Sequence, residues 1–328
     1  MNQNAEIPKG KGRSKKMIIK ILIGSAALLI LVLAGMFLYH RIMLKKEASL
    51  LENPLGQMVE IDGHNMCVYS EGEGKHTLVF LSGSGTVSPI LDFKSLDELL
   101  KGDYRIVVIE KFGYGFSDIV DTERSFSTML RQDREALSKL GIEGPFILCP
   151  HSMSGIEAIL WAQEYPEEVE AIVGLDMAVP KDYDVMDLES RLQAEKLYGG
   201  LREMGLLRLY YSDLVIPGNL SKEEKKIYQA LAARIAVNEV IYNEGLSIRE
   251  ACDQINAKPK PDVPMILFVS DGKQTGIKEW VDLRKDYAKD LSNVKIVELQ
   301  CGHYVHNFEY ERINMDMREF IAELDKEE

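Results

Sequence analysis

The chain is poor in cysteine, with four residues among 328. Cys67, Cys149, Cys252 and Cys301 lie far apart and form no Cys-x-x-Cys pair. Structural zinc sites and dense disulfide frameworks both need closely spaced cysteines, so this sequence indicates neither. We expect free and mostly buried thiols, and we expect no metal and no other cofactor.

Basic residues are scarce beyond the first 46 positions. Residues 1–46 hold nine Lys and Arg and a single acidic residue, whereas the whole chain has a net charge of −13. The remainder is therefore strongly acidic. Because binding of nucleic acid depends on clustered Lys and Arg that neutralise phosphates, nucleic acid is not an expected partner. The sequence does not specify protein partners.

Charge is absent from residues 21–38, which are almost wholly apolar. Together with residues 17–20 they form a helix of about 20 residues, enough to cross a hydrocarbon layer of roughly 30 Å. A signal peptide has a shorter apolar run and an Ala-x-Ala cleavage site, which is not found here. Met36 also stands where a lipoprotein has its lipidated cysteine. We predict an uncleaved signal-anchor over residues 17–39, with a lipid bilayer as its partner, in preference to a cleaved signal or a buried core helix.

The orientation of this anchor follows from the charges that flank it. Six Lys and Arg precede or begin the span and three follow it. The side of a membrane helix that is richer in Lys and Arg stays in the cytoplasm. We therefore predict a single-pass protein of the cell membrane, with residues 1–16 as a cytoplasmic tail, residues 40–56 as a linker, and the catalytic part outside the cell.

The rest of the chain alternates apolar strands with helices. Residues 58–61 and 66–69 predict an antiparallel hairpin. Further strands are predicted at 77–81, 104–109, 146–149, 169–175, 265–269 and 294–299. Helices are predicted at 89–100, 127–140, 156–165, 277–288 and 309–324. This alternation is typical of an α/β fold with a mostly parallel sheet, and residues 57–179 and 261–328 form its two parts.

Residues 180–260 interrupt that alternation. They are charged and helical, and the capping box Ser221-x-x-Glu224 begins a long amphipathic stretch that we expect to continue to Asn243. We interpret this segment as an inserted helical cap. Six of its tyrosines are candidates for lining a substrate cavity: Tyr183, Tyr198, Tyr210, Tyr211, Tyr228 and Tyr242.

The segment Pro150-His151-Ser152-Met153-Ser154-Gly155 lies between an apolar strand and a helical pattern. A serine on such a strand-to-helix turn stands clear of the sheet as a nucleophile. The usual pattern is Gly-x-Ser-x-Gly, and here Pro150 and Ser154 replace the two glycines. Pro150 closes the strand and Ser154 is small, so the turn is still feasible.

A serine nucleophile needs a base whose pKa is near the working pH, which nominates histidine. His303 follows the last predicted strand and Gly302, where a loop can return it to the carboxyl edge of the sheet. His306 forms a His-x-x-His pair with it, but no third metal ligand is in register. We therefore assign His303 to the base.

These features resemble the α/β-hydrolase family over residues 57–328. Leu81-Ser82-Gly83-Ser84-Gly85 resembles its oxyanion loop, with Ser82 in place of the usual histidine, and residues 112–117 resemble its Gly-x-Gly-x-Ser loop. The resemblance implies Ser152 as nucleophile, His303 as base, and the backbone N–H groups of Met153 and Ser84 as oxyanion donors.

The resemblance also implies a third residue, an acid, and leaves two candidates. Asp271 follows the strand after the cap, the common position for this acid. Asp176 ends the strand that follows the nucleophile helix, a less common position. We favour Asp176 because Asp271 comes slightly early for the loop, and we keep Asp271 as the alternative. Either would orient the imidazole of His303.

Together these residues predict a serine hydrolase that acts on a carboxylic ester or a related small acyl substrate through an acyl-enzyme. Two alternatives remain open. One is an aminopeptidase of the proline-iminopeptidase type, in which an acid of the cap binds the substrate ammonium group; the candidates are Glu195, Glu203, Asp213 and Glu239. The other is a catalytically silent binding protein on the same scaffold.

Overall fold

One eight-stranded sheet organises the molecule, with its strands in the order β1-β2-β4-β3-β5-β6-β7-β8. The computed structural model describes residues 11–211, 216 and 219–327. The strands are β1 (Gln57–Ile61), β2 (His64–Glu71), β3 (Thr77–Leu81), β4 (Arg105–Glu110), β5 (Phe146–Pro150), β6 (Val169–Leu175), β7 (Met265–Val269) and β8 (Val294–Glu298). The pairs that contain β2 are antiparallel and all others are parallel. The predicted α/β class with a mostly parallel sheet is thus confirmed.

Helices cover both faces of this sheet, and one helix, α1, precedes the first strand. They are α1 (Lys11–Lys46), α2 (Pro89–Leu100), α3 (Phe126–Lys139), α4 (Ser154–Glu164), α5 (Asp182–Val185), α6 (Leu188–Glu203), α7 (Leu207–Tyr210), α8 (Lys222–Ile235), α9 (Glu239–Asn256), α10 (Trp280–Ala288), α11 (Val305–Phe308) and α12 (Tyr310–Glu327). One apolar core joins the sheet to α3, α4 and α10, and a second joins its other face to α2 and α12.

The central strands are apolar because both of their faces are covered. Every residue of β3, β5 and β7 is buried. A parallel strand between two helical layers has no solvent-facing side, so continuous apolar runs replace the alternation seen at sheet edges. Because β5, β6 and β7 are neighbouring parallel strands, their carboxyl ends lie together at one edge of the sheet.

Helices α5 to α9 lie between β6 and β7. The expected single stretch from Ser221 to Asn243 is wrong, because the structure breaks it into α8 and α9. Val237 adopts a positive φ of 51°, and the Asn238 side chain accepts hydrogen bonds from the N–H groups of Val240 and Ile241. Asparagine is a strong helix N-cap, so it starts a new helix here. The predicted helix at 277–288 likewise begins only at Trp280.

Helix α1 is 36 residues long. Its most apolar part has a mean hydropathy of 2.7, and none of that part is buried against the rest of the molecule. The helix is long and apolar enough to cross a membrane, as either an anchor or a signal sequence would be. Of the predicted cytoplasmic tail, residues 1–10 lie outside the described residues. All four cysteines are free, and only Cys301 is not buried.

Candidate active site

Ser152 lies on the turn between β5 and α4 with a positive φ of 54°. Its carbonyl oxygen accepts hydrogen bonds from the N–H groups of Gly155 at 3.0 Å and Ala178 at 2.7 Å. A Cβ atom on Gly155 would lie 2.3 Å from the Ala178 carbonyl oxygen, so only glycine permits this approach. The strained conformation of Ser152 is therefore fixed by the backbone on both sides.

Ser154 and Pro150, which replace the two usual glycines, both fit the turn. Ser154 is buried, and its Oγ donates to the Leu81 carbonyl oxygen at 2.6 Å. Pro150 pairs with Leu81 as the last residue of β5. The serine thus adds a hydrogen bond between the turn and β3 that a glycine could not make.

His303 connects this turn to the loop after β8. Its Nε2 lies 2.8 Å from Ser152 Oγ. The backbone N–H of His303 donates to Gln274 Oε1 at 3.0 Å, and a Cβ atom on Gly302 would lie 2.4 Å from the same oxygen. Gln274 therefore fixes the position of the histidine loop, and Gly302 leaves room for it.

Asp176 completes the hydrogen-bonded row. Its Oδ2 lies 2.6 Å from His303 Nδ1, and its side chain is fully buried. Its Oδ1 accepts hydrogen bonds from Ser270 N–H at 2.8 Å and from Trp280 Nε1 at 2.7 Å. With Nδ1 of His303 donating to this carboxylate, Nε2 is free to accept the Ser152 proton.

Asp271, the alternative acid, has different partners. Its Oδ2 pairs with Lys273 Nζ at 2.7 Å and its Oδ1 accepts from the Lys273 N–H at 3.0 Å. These bonds hold the pKa of Asp271 below its usual value. The structure thus brings Ser152, His303 and Asp176 together and leaves Asp271 outside the row.

The two expected oxyanion donors lie beside Ser152. Met153 follows it directly, and Ser84 lines the same cavity. In the part of the chain that the structure describes, neither backbone N–H has a hydrogen-bond acceptor. A Cβ atom on Gly83 would lie 2.7 Å from Ser152 Cβ, so the loop after β3 packs directly onto the serine. Both N–H groups are thus available to a ligand oxygen.

A cavity of about 280 Å³ opens at Ser152. Of the six tyrosines predicted as candidates, Tyr183 lines it, whereas the other five do not. Glu195, Glu203 and Glu239 do not line it either, and Asp213 lies outside the described residues. The charged side chains in its wall are Arg191 and Asp182. Asp182 is already paired with the buried Arg284.

Three further contributors escaped the sequence-based prediction: Trp280, Gln274 and Arg284. Trp280 donates to Asp176, and the guanidinium of Arg284 stacks 3.1 Å above the Trp280 ring. Arg284 also donates to the Met177 carbonyl oxygen at 3.0 Å. None of the three belongs to a local motif. The one usable signal is that a buried indole N–H needs an acceptor.

A second buried cluster underlies the first. Candidate ligand atoms of Asp92, His151 and His306 all lie within 4.8 Å of one another, so these residues are the candidate metal ligands of the described chain. His306 Nε2 is 2.8 Å from Asp92 Oδ2, and His151 Nε2 is 3.2 Å from the His303 carbonyl oxygen. Burial, with His303 and His306 nearby, lowers the pKa of His151 well below its usual value. His151 is therefore a neutral donor that supports the His303 loop.

Known proteins similar to this chain place it in a family. No family model matches the sequence. An uncharacterized protein of Bacillus subtilis (strain 168), YbdG, is 34% identical over 322 residues, which cover 94% of this chain and 98% of that protein. A 2-hydroxy-6-oxononadienedioate/2-hydroxy-6-oxononatrienedioate hydrolase of Paraburkholderia phymatum is 36% identical over 105 residues, 31% of this chain and 36% of that enzyme.

Solved structures show the same fold at lower identity. An epoxide hydrolase from Vigna radiata matches with a TM-score of 0.63 and 22% identity, covering 83% of this chain and 99% of that one. The haloalkane dehalogenase DbeA from Bradyrhizobium elkani has a TM-score of 0.63 and 17% identity, with the same two coverages. The chain belongs to the same family as YbdG of Bacillus subtilis, and its fold is the α/β-hydrolase fold.

Proposed function

We propose that this chain is a serine hydrolase that acts on a carboxylic ester or a related acyl substrate. The observation that carries the proposal is the unbroken row from Ser152 Oγ through His303 to the buried carboxylate of Asp176, with distances of 2.8 and 2.6 Å. A nucleophile, a base and an orienting acid in this order are the requirements of acyl transfer.

In the proposed mechanism, Ser152 attacks the substrate carbonyl while His303 Nε2 takes its proton. The backbone N–H groups of Ser84 and Met153 stabilise the oxyanion, and His303 then protonates the leaving group. Water activated by His303 hydrolyses the acyl-enzyme. The Asp176 carboxylate stabilises the imidazolium. The cavity of about 280 Å³ favours a small acyl group.

A second candidate is hydrolysis of a carbon–carbon bond beside a carbonyl in a carboxylate-bearing substrate. Two observations favour it. Arg191 lines the cavity at Ser152, and guanidinium groups bind carboxylates well. The partial relatives that have an assigned activity hydrolyse dicarboxylic acids, by their names. Glu195, Glu203 and Glu239 do not line the cavity, and Glu195 Oε1 already accepts a hydrogen bond from Arg191 Nε at 3.3 Å, which weakens the aminopeptidase alternative.

The first experiment is labelling of the full-length protein in detergent with a fluorophosphonate probe, followed by peptide mass mapping. We expect one adduct, on Ser152, that is lost in Ser152→Ala and strongly reduced in His303→Ala. Asp271→Asn is the matched control and should label normally. A folded wild-type protein that does not react would support the catalytically silent alternative.

The substrate class is tested by comparing esters with and without a free carboxylate. If Arg191 binds a carboxylate, Arg191→Gln should lose the preference for the acidic ester while its kcat/KM for the neutral ester is retained. Arg312→Gln, on the exposed side of α12, is the control. Equal preference in wild type and Arg191→Gln would remove the support for the second candidate.

A further inference from the structure

Four large side chains of α6 and α7 face solvent and form what we name the cap-edge patch. They are Leu197, Tyr198, Leu209 and Tyr210, with exposed fractions of 63%, 49%, 70% and 59%. Exposed apolar residues are ordinary when scattered, but Tyr198, Leu209 and Tyr210 line one common groove, and a contiguous apolar surface marks an interaction site. The patch is separate from the cavity at Ser152.

A groove of about 600 Å³ runs through this patch. Besides Tyr198, Leu209 and Tyr210, its wall includes Leu201, Leu206 and Val237, and no charged residue lines it. The groove offers neither an ion pair nor a charged group to a ligand. Its chemistry suits a hydrocarbon chain.

The patch lies at one end of the charge-free part of α1. Residues 21–40 carry no Lys, Arg, Asp or Glu, and at 1.5 Å per residue they span roughly 30 Å, the thickness of a hydrocarbon layer. Gly205, between α6 and α7, packs on the last turn of this part. A Cβ atom there would lie 2.5 Å from His40 Cβ and 3.3 Å from the Met36 carbonyl oxygen.

An ion pair fixes the cap to α1 in this position. Arg208 Nε donates to His40 Nδ1 at 3.0 Å, and its two terminal nitrogens donate to the Glu47 carboxylate at 2.8 Å each. Glu47 follows directly after Lys46, the last residue of α1, and so lies beyond the charge-free part that ends at His40. The Arg208 charge is therefore paired with an acid beyond the charge-free residues 21–40, whereas its neighbours Leu209 and Tyr210 remain exposed.

We propose that the cap-edge patch lies in the surface of the same bilayer that α1 crosses, with lipid acyl chains in its groove. Tyrosine and leucine side chains at the boundary of the hydrocarbon are typical of membrane interfaces. The proposal rests on α1 as a membrane span and is independent of the chemistry at Ser152. It places the catalytic domain directly on the lipid rather than at the end of a free linker.

The test is the depth of a nitroxide label on single introduced cysteines. The full-length variants Leu209→Cys and Tyr210→Cys are reconstituted into vesicles of phosphatidylethanolamine and phosphatidylglycerol. Collision of the label with oxygen, which concentrates in lipid, is compared with collision with a water-soluble nickel chelate. Met315→Cys on α12, 63% exposed, is the matched aqueous control, and Leu29→Cys in α1 is the lipid control. The parent chain gives the labelling background of the native cysteines.

We expect the oxygen-to-nickel ratio at positions 209 and 210 to exceed that at position 315 several-fold and to approach that at position 29. A label at position 29 in lipid with labels at 209 and 210 in water would overturn the proposal. A label at position 29 in water would overturn it as well, because α1 would then not be in the membrane. Both tested positions are exposed, so loss of folding is not expected.

Discussion

The loops after β6 and β7 lie side by side at the carboxyl edge of the sheet, and each offers an aspartate. Asp176 after β6 is fully buried and accepts hydrogen bonds from Ser270, Trp280 and His303. Asp271 after β7 is partly exposed and is paired with Lys273. The comparison teaches that the β7 loop contributes donors rather than the acid. Its backbone and α10 hold the carboxylate that β6 supplies.

The difference between the two aspartates is tested most directly by exchanging each acid for its amide. Asp176→Asn should lower kcat/KM for an activated ester by about 10³–10⁴-fold, because an amide no longer holds His303 in the tautomer that accepts the serine proton. Asp271→Asn should stay within about twofold, since its partner is a surface lysine. Steady-state kinetics of both full-length variants decides the matter. A larger loss in Asp271→Asn would reverse the assignment of the acid.

A smaller effect is expected when Asp176 loses one donor. Trp280→Phe keeps an aromatic ring beneath Arg284 but removes the indole N–H that donates to Asp176 Oδ1. A hydrogen bond to a charged group contributes about 1.5–3 kcal/mol, so kcat/KM should fall by roughly 10- to 100-fold.

The matched control for this change is Trp161→Phe. Trp161 is equally buried, and its indole N–H donates to Glu168, away from Ser152. Loss of its donor should lower the melting temperature and leave kcat/KM near the wild-type value. Equal activity losses in the two tryptophan variants would show that burial, and not the bond to Asp176, accounts for the effect.

Gln274 is the other contribution of the β7 loop, through the backbone of His303. Gln274→Ala removes the acceptor of the His303 N–H and should reduce kcat/KM by about 5- to 10-fold, consistent with about 1 kcal/mol for a neutral hydrogen bond. Gln274→Glu keeps an acceptor and should restore most of the activity. If both variants fall equally, the hydrogen bond is not what positions the loop.

The sequence predicts those parts of the site that carry local signals. The apolar runs of β3 and β5, the small residues around Ser152 and the glycine before His303 each follow from backbone requirements that neighbouring residues reveal. The sequence leaves two candidates for the acid, because Asp176 and Asp271 both follow a buried strand. The two aspartates differ in their surroundings. Asp176 is buried under Trp280, whereas Asp271 is paired with Lys273, two residues farther along the chain.

Other features have no local signal or a weak one. Trp280 and Gln274 come from segments remote from Ser152 and Asp176 in sequence, so only the folded chain brings them to the site. The break between α8 and α9 did have a signal, because Asn238 precedes Glu239 as helix N-caps often do. The amphipathic pattern continues across the break, because α8 and α9 each bury one face, and the pattern therefore predicts a single helix.

The smallest expected effect is the pH dependence of thermal stability that arises from His151, beneath the two loops. His151 is buried, and its pKa is lowered well below the usual value. Below a pH of about 6.5 the unfolded chain binds a proton that the folded chain does not, so stability is fully present above this pH and is lost as the pH falls. The melting temperature should therefore drop by about 2 °C per pH unit from this group.

His151→Gln isolates that contribution, because glutamine stays neutral and can still donate to the His303 carbonyl oxygen that His151 Nε2 contacts at 3.2 Å. Thermal unfolding of the full-length protein in detergent, followed by circular dichroism between about pH 5 and pH 8, should show a shallower decline in this variant than in wild type. His64→Gln, in a half-exposed position on β2, is the matched control for the exchange of a histidine for glutamine. Parallel curves for wild type and His151→Gln would mean that other groups cause the loss of stability in acid, and that His151 supports the histidine loop by packing alone.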